Sequence, residues 1–368
     1  MVDLLVIAGE HSGDNHAAFF VRQLKERRPN LSICAVAGPA VEQAGAQLLF
    51  DLTKFSVVGF VETLKHYRTF IRLLRWIVEF VRAYKPKTIC LVDFPGFNLL
   101  LAKKLYKAGL SLKSGGTTRI CQYISPQIWA WKANRRFEME KYIDHLGVIF
   151  PFEKNWFQDT QLDVQFVGHP LLQVKNPFVY DSLGPVLLLP GSRISAVKRI
   201  YPILEDSFLQ IRKFHSTLQA IVPVADNDIL KYFSKHSQEG IQFLPINEIK
   251  QGFSCAIMSS GTASLQVALA GIPGVVTYKA NPITFFIGKK LVKISYLAIA
   301  NILLKRALYP EYLQDVSNQA SVIALQMEAI LSSPELMRQR YLEGAREIYH
   351  ILSCNQYQTV TDWLETYC

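Results

Sequence analysis

Leu4-Leu5-Val6-Ile7-Ala8-Gly9-Glu10-His11-Ser12-Gly13-Asp14 opens the chain with five apolar residues, a polar glycine turn and a helical stretch running to about Glu26. An apolar run too short for a helix, closed by glycine and followed by one, is a strand–turn–helix unit. The unit recurs. Ser32–Ala37 leads to Gly38-Pro39 and a helix, and Thr88–Val92 to Asp93 and a helix from near Phe97; Arg119–Ile124 and Leu146–Phe150 repeat the pattern. Continuous apolar strands alternating with helices predict a parallel sheet covered on both faces. After the irregular stretch Gly168–Pro185, which holds three prolines, the pattern resumes with Pro185–Leu189, Ala220–Val224, Ile241–Leu244, Ala256–Ser259 and Gly274–Tyr278. From about Gln319 the chain is helical without strands. The expected fold is α/β: two tandem open-sheet domains, 1–170 and 183–318, facing across a cleft, with a helical segment 319–368.

Length agrees, since 368 residues at roughly 150 per domain suggest two domains. With half the residues hydrophobic and 19% charged, the chain is not disordered. Unpatterned Gly and Pro exclude collagen-like classes. No apolar run reaches the ~18 residues of a spanning helix, and Met1-Val2-Asp3 has no basic region, so no signal peptide is expected. The six cysteines form no C-x-x-C pair, which predicts reduced, buried thiols and a cytoplasmic protein. The net charge of +10 is uneven: residues 64–87 carry seven Lys/Arg against Glu79 alone, and residues 249–310 carry seven with no acid. Two positive fields suggest two anionic partners. No nucleic-acid-binding signature is present.

In tandem open sheets, ligands bind beyond the carboxyl ends of the strands, so the turns after strands are the informative residues. Gly9–Asp14 is neither a dinucleotide fingerprint nor a serine-hydrolase elbow. Its glycines permit close approach, and the next helix offers free N–H groups to a polar ligand. Asp14 can act there or as a helix cap. His11 and His16 stand at a poor metal spacing, and no metal or cofactor is expected. Asp93, at the end of its strand, can accept a proton from a substrate hydroxyl or simply bind loop amides; position leaves both roles open. Asn98 reads as a helix cap. Pro190-Gly191-Ser192-Arg193 and Ser259-Ser260-Gly261-Thr262 each join a strand to a helix with small residues, and Arg193 adds a fork of donors. Two such cradles in one basic segment point to a nucleotide diphosphate, although neither is a Walker A loop.

Leu64–Tyr84 is a basic amphipathic stretch with Lys65, Arg68, Arg72, Arg75, Glu79 and Arg82 on one stripe. Its wide aromatic and aliphatic face suits a membrane interface, and an ordinary packed helix with a solvated basic stripe is the alternative. Ile283–Arg306, with Phe285, Phe286 and Lys289-Lys290, is a second candidate.

Together these turns resemble the lipid-A-disaccharide synthase family, glycosyltransferases of the two-Rossmann-domain (GT-B) architecture. The matching pieces are Ala8–Asp14, Val92-Asp93-Phe94-Pro95-Gly96-Phe97-Asn98, Tyr123-Ile124-Ser125-Pro126-Gln127-Ile128-Trp129-Ala130-Trp131, Phe150-Pro151-Phe152-Glu153-Lys154 and Phe166-Val167-Gly168-His169. In the second half they are Leu189–Arg193, Ser260-Gly261-Thr262-Ala263, Asn301, and Glu311 with Gln314. The resemblance implies transfer of the sugar of UDP-2,3-diacylglucosamine to 2,3-diacylglucosamine 1-phosphate, giving lipid A disaccharide 1-phosphate and UDP. It implies an inverting, metal-independent enzyme of lipopolysaccharide biosynthesis, peripheral to the cytoplasmic face of the inner membrane; a homo-oligomer is compatible with the sequence. Asp93 takes the family's catalytic position, with Glu10 as a second carboxylate. Gly191, Ser192, Arg193, Ser260, Gly261, Thr262, Gln266, Asn301, Glu311 and Gln314 fall to the nucleotide. Ser12, Gly13, Asp14, Trp129, Trp131, Arg68, Arg72 and Arg75 fall to the acceptor and its lipid; Trp129 and Trp131 are equally readable as core aromatics. Three departures stand out: Gly96 where many members carry Asp, Gln266 where a Glu usually meets the UDP ribose, and Ile194-Ser195-Ala196 where a Glu usually follows. They motivate the alternative of a UDP-sugar epimerase or hydrolase, or a lipid-binding relative.

Overall fold

The computed structural model describes residues 2–55, 60–224, 227–234, 238–279, 295–313, 319–353 and 358–368. The chain forms two compact units, Met1–Pro170 with Leu352–Cys368, and Leu171–Ile351. The break between them at Pro170/Leu171 lies within the irregular stretch Gly168–Pro185. The expected segment 319–368 is instead shared, its last residues joining the first unit.

The first unit holds strands β1 (Leu4–Ala8), β2 (Ile33–Ala37), β3 (Gln47–Asp51), β4 (Thr88–Val92), β5 (Arg119–Tyr123), β6 (His145–Val148) and β7 (Asp163–Phe166), all parallel in the order β3-β2-β1-β4-β5-β6-β7. Its helices are α1 (His11–Arg27), α2 (Pro39–Gln43), α3 (Phe60–Tyr84), α4 (Pro95–Lys107) and α5 (Arg135–Tyr142). The two-residue period of the strands builds the layers. Leu5, Ile7, Ile89 and Leu91 pack with Leu73, Leu74, Ile77 and Val81 of α3 and with Leu101 and Leu105 of α4. Leu4, Val6, Cys90 and Val92 pack on the other face with Phe20, Val21 and Leu24 of α1. The strand order reverses between β1 and β4, the switch point at which open sheets hold ligands. Ala8 lies opposite Val92, and Val92 opposite Tyr123, so three turns leave the sheet at one level.

The second unit repeats the plan with β8 (Val186–Leu189), β9 (Ala220–Val224), β10 (Ile241–Pro245), β11 (Cys255–Ser259), β12 (Gly274–Tyr278) and β13 (Glu311–Leu313), parallel in the order β10-β9-β8-β11-β12-β13. Its helices are α6 (Ile194–Arg212), α7 (Asn227–Phe233), α8 (Thr262–Leu269), α9 (Ile299–Leu304), α10 (Gln319–Leu331) and α11 (Pro334–Leu352). The switch point lies between β8 and β11, with Leu189 opposite Met258.

A final helix, α12 (Val360–Glu365), returns to the first unit. Thr359 and Asp362 cap it reciprocally at 3.2 and 3.0 Å, satisfying N–H groups the helix cannot. Val360, Trp363 and Leu364 complete the α1 face, and the Trp363 ring leaves only about a hydrogen's width at Gly147, where a Cβ would come within 3.0 Å.

Candidate active site

At the first switch point the turns after β1 and β4 interlock. A Cβ on Gly9 would lie 2.3 Å from Cδ1 of Phe94, so only glycine admits that ring. Asp93 and Phe94 both take left-handed backbone, at φ +45° and +44°, a conformation aspartate tolerates but one costly for a bulky residue such as Phe94. Pro95 then starts α4 with its fixed φ. This double reversal puts half-buried Asp93 on the rim of the sheet. Glu10, half-buried, precedes α1 and makes no capping bond with its side chain. Ser12 is exposed on the first turn of α1, and Gly13 lies against β4, where a Cβ would sit 3.7 Å from the Val92 carbonyl.

Several side chains stand elsewhere than the sequence suggested. Asp14 is 3% exposed; its carboxylate accepts the N–H groups of Gly38, Ala40 and Val41 at 2.8, 3.0 and 3.3 Å. It caps α2 rather than its own helix. Asn98 is not a cap either. It is fully buried, and its Nδ2 donates to the carbonyls of Val92 and Asp93 at 3.2 and 2.6 Å. Trp129 is a core residue: its Nε1 donates to Oε1 of buried Glu153 at 3.3 Å, and its ring meets Phe152 edge-on. Trp131 is exposed, with Lys132 Nζ 4.4 Å from its ring centroid.

Glu153 ties the block around Trp129 to the turn at Phe150, whose N–H donates to Oε2 at 3.0 Å. Burial drives its carboxyl up to about 8, against the pull of those donors. Burial likewise pushes His16 down to about 4, and, with His16 beside it, His169 down to about 3, so both imidazoles are neutral. The sequence reading assigned no role to Glu153 or Gln122. A polar residue inside the apolar strand Arg119–Tyr123 was the available signal for Gln122.

At the second switch point Gly191 takes φ +110°, and a Cβ there would lie 3.5 Å from Ser259 Oγ. The turns after β8 and β11 are therefore neighbours. Gly191, Ser192 and Arg193 are exposed at the start of α6, whose first turn holds no acid. Thr262 is exposed at the start of α8, and Gly261 has nothing within 4 Å of a Cβ position. Ser260 Oγ donates to the Leu297 carbonyl at 2.7 Å. Leu297 and Ala298 in turn donate to the Glu311 carboxylate at 2.8 and 3.0 Å, and so does Asn301 Nδ2 at 2.8 Å. Fully buried Asn301 also donates to the Tyr309 carbonyl and accepts from Leu308 and Tyr309. Asn301 and Glu311 thus brace the loop behind Ser260. Gln266 is half-buried, with its carbonyl accepting from Asn176. Gln314 lies outside the described residues, as do residues 283–294, the first half of the second basic aromatic stretch.

On α3 much of the wide apolar face is core, through Leu73, Leu74, Ile77 and Val81. Arg68, Arg72 and Arg75 are exposed. Trp76, Phe80 and Tyr84 form an aromatic row one helical turn apart, with centroid spacings of 5.8 and 4.6 Å.

Two parallel sheets, each with ligand-type turns at its switch point, make this a GT-B fold of two Rossmann-like domains. Solved structures share it at low identity: CalG4, the calicheamicin glycosyltransferase (TM-score 0.56, 14% identical, covering 100% of this chain and 98% of that one), UGT89C1 of Arabidopsis thaliana (0.62, 11%, 99% and 98%) and the UDP-GlcNAc 2-epimerase of Neisseria meningitidis (0.57, 12%, 96% and 99%). The family model of lipid-A-disaccharide synthetase matches residues 4–359, and the chain belongs to that family. Lipid-A-disaccharide synthases from Nitrosococcus oceani (32% identical over 374 residues, 97% of this chain and 94% of the relative) and Geobacter sulfurreducens (31% over 347, 90% and 88%) resemble it along most of their length. Lipid-A-disaccharide synthase 1 of Legionella pneumophila is 36% identical over 333 residues (86% and 85%). The chain is therefore a glycosyltransferase that forms the lipid A disaccharide from a UDP-sugar donor and a glycolipid acceptor. The epimerase or hydrolase alternative is not favoured, because epimerases share the fold alone.

Proposed function

We propose that the chain moves the diacylglucosamine of UDP-2,3-diacylglucosamine onto the 6-hydroxyl of 2,3-diacylglucosamine 1-phosphate, by an inverting, metal-independent route at the cytoplasmic face of the inner membrane. The observation that carries this reading is the chemistry at the two switch points: a carboxylate on a forced turn in the first unit, and exposed small-residue turns with Arg193 in the second. Asp93 takes the proton of the acceptor hydroxyl as its oxygen attacks C1 from the face opposite UDP, and Glu10 orients the acceptor. Charge grows on the departing diphosphate. The Arg193 guanidinium, the N–H groups opening α6 and α8, and the hydroxyls of Ser192 and Thr262 hold it, a contribution of several kcal/mol in such sites, so no step needs a metal ion. Gln266 meets the ribose with neutral hydrogen bonds. Asn301 and Glu311 act through the backbone they brace, and Gln314 completes the nucleotide side. Arg68, Arg72 and Arg75, with the row Trp76, Phe80 and Tyr84, place the acceptor's membrane beside the first unit, and exposed Trp131 adds an aromatic contact.

Purified protein given both lipid substrates should yield disaccharide 1-phosphate and UDP together, and donor alone should release no UDP. UDP release without acceptor would mean hydrolysis and would end this reading. Asp93→Ala should cut turnover by roughly 10²–10⁴-fold while calorimetry still shows UDP binding; a variant that keeps most of its rate removes Asp93 as the base.

A further inference from the structure

We propose that Gln122 and Asn98 are positioning residues for Asp93: two buried amides that hold its strained turn in the conformation from which the carboxylate works. The inference rests on Asp93 being the base.

Three non-glycine residues at the ends of neighbouring strands are left-handed: Asp93 (φ +45°), Phe94 (φ +44°) and Ile124 (φ +68°). A β-branched or bulky residue adopts this backbone only where its surroundings over-determine it. The over-determination is visible. Gln122 Nε2 lies 3.3 Å from the Asp93 carbonyl, 3.4 Å from that of Tyr123 and 3.1 Å from that of Ile124. Asn98 Nδ2 donates to the same Asp93 carbonyl at 2.6 Å and to that of Val92 at 3.2 Å. The Asp93 N–H closes the arrangement by donating to Tyr123 at 2.9 Å. One carbonyl, that of Asp93, therefore receives both amides, and Gln122 joins it to Ile124, which opens the Ser125–Trp131 block.

The acceptor ends of these amides show that the donors are what matters. Oδ1 of Asn98 and Oε1 of Gln122 are buried with no partner among the described residues, while the two side chains are 0% and 1% exposed. An orphaned buried oxygen is destabilising, and a Leu or Met of similar volume would avoid it. The reverse amide orientation is worse, because it sets the amide oxygen against carbonyl oxygens. The chain keeps two unfavourable oxygens in order to keep two N–H groups on the turn that aims Asp93.

The test uses the full-length protein with both lipid substrates. Gln122→Met and Asn98→Leu keep volume and delete the donors. Each should lower kcat about 10- to 100-fold, the scale of a misplaced reacting group, while the UDP dissociation constant, set in the other unit, stays within about twofold. The same substitutions in an Asp93→Ala background, measured on its residual product formation, should add no further loss, since groups acting through one residue are non-additive. Full kcat in the single variants, or losses that multiply on Asp93→Ala, would overturn the proposal. Where Gln122→Met does not fold, Gln122→Leu, which also lacks the donor, takes its place under the same criteria, and Asn98→Leu carries the test by itself. An Asp93→Ala enzyme that stays active refutes the base itself, an outcome distinct from full activity in the amide variants alone.

Discussion

Replacing Glu153 by Gln should change stability in opposite directions at low and high pH. The folded protein raises this carboxyl from its ordinary 4.5 to about 8 by burial. A raised acid favours the folded state while protonated. Its contribution is complete below pH 4.5 and is lost as pH climbs through about 8. Each unit of difference corresponds to about 1.4 kcal/mol, so the wild type should lose on the order of 3–5 kcal/mol across that window through this group alone. Glutamine has no such titration but has one acceptor fewer. Its NH2 must face either the Trp129 indole N–H or the Phe150 amide, both of which donate to Glu153, a loss of about 1–2 kcal/mol. The variant should therefore be the less stable protein near pH ~5 and the more stable near pH ~9. Tryptophan emission in urea suits the measurement, because all five tryptophans (76, 129, 131, 156 and 363) lie in the first unit. Unfolding midpoints of wild type and variant that stay parallel from pH ~5 to ~9 would refute the reasoning, since they would show a carboxyl titrating as if in water.

Gly9→Ala drives a methyl into the Phe94 ring; it should destabilise the first unit by about 1–3 kcal/mol and reduce kcat, and an unaltered kcat would show that the two turns are independent. Gln266→Glu restores a charged acceptor toward the ribose and should tighten UDP binding by roughly tenfold, read by calorimetry; an unchanged dissociation constant would separate this residue from the nucleotide. Reversing Arg68, Arg72 and Arg75 to Glu should release the protein from anionic vesicles at ~0.1 M salt, and undiminished co-sedimentation would exclude α3 as the membrane contact.

How legible each element was follows from its place in the sheet. β1, β4, β9 and β12 begin and end where the apolar runs do, because strands buried on both faces must be apolar throughout. β3, β7 and β13 are all edge strands. Sequences such as Gln47–Asp51 and Asp163–Phe166 are half-exposed and carry no continuous run to detect. The turns of the site were readable for a related reason, since the strand that precedes each one fixes it in register. The destination of a side chain was not. Asp14 could be seen as a capping residue, yet the helix it caps begins 25 residues further on. Asn98, Gln122 and Asn301 bond to backbone carbonyls and amides, partners that leave no pattern in a sequence.

Those hidden braces also differ between the two units in a way that matches their proposed tasks. Asn301 makes four hydrogen bonds, two through Nδ2 and two through Oδ1, and both Glu311 oxygens are occupied. A diphosphate that only has to be held needs a cradle at its energy minimum, and this one is satisfied throughout. The brace in the first unit has no partner for either amide oxygen among the described residues and sits under three left-handed residues. A base has to stay aimed while charge moves, and a strained turn clamped from beneath resists relaxing when the carboxylate takes up its proton. Damage to the first brace should therefore appear in turnover, and damage to the second in nucleotide affinity, although both are built from the same kinds of buried amide and carboxylate.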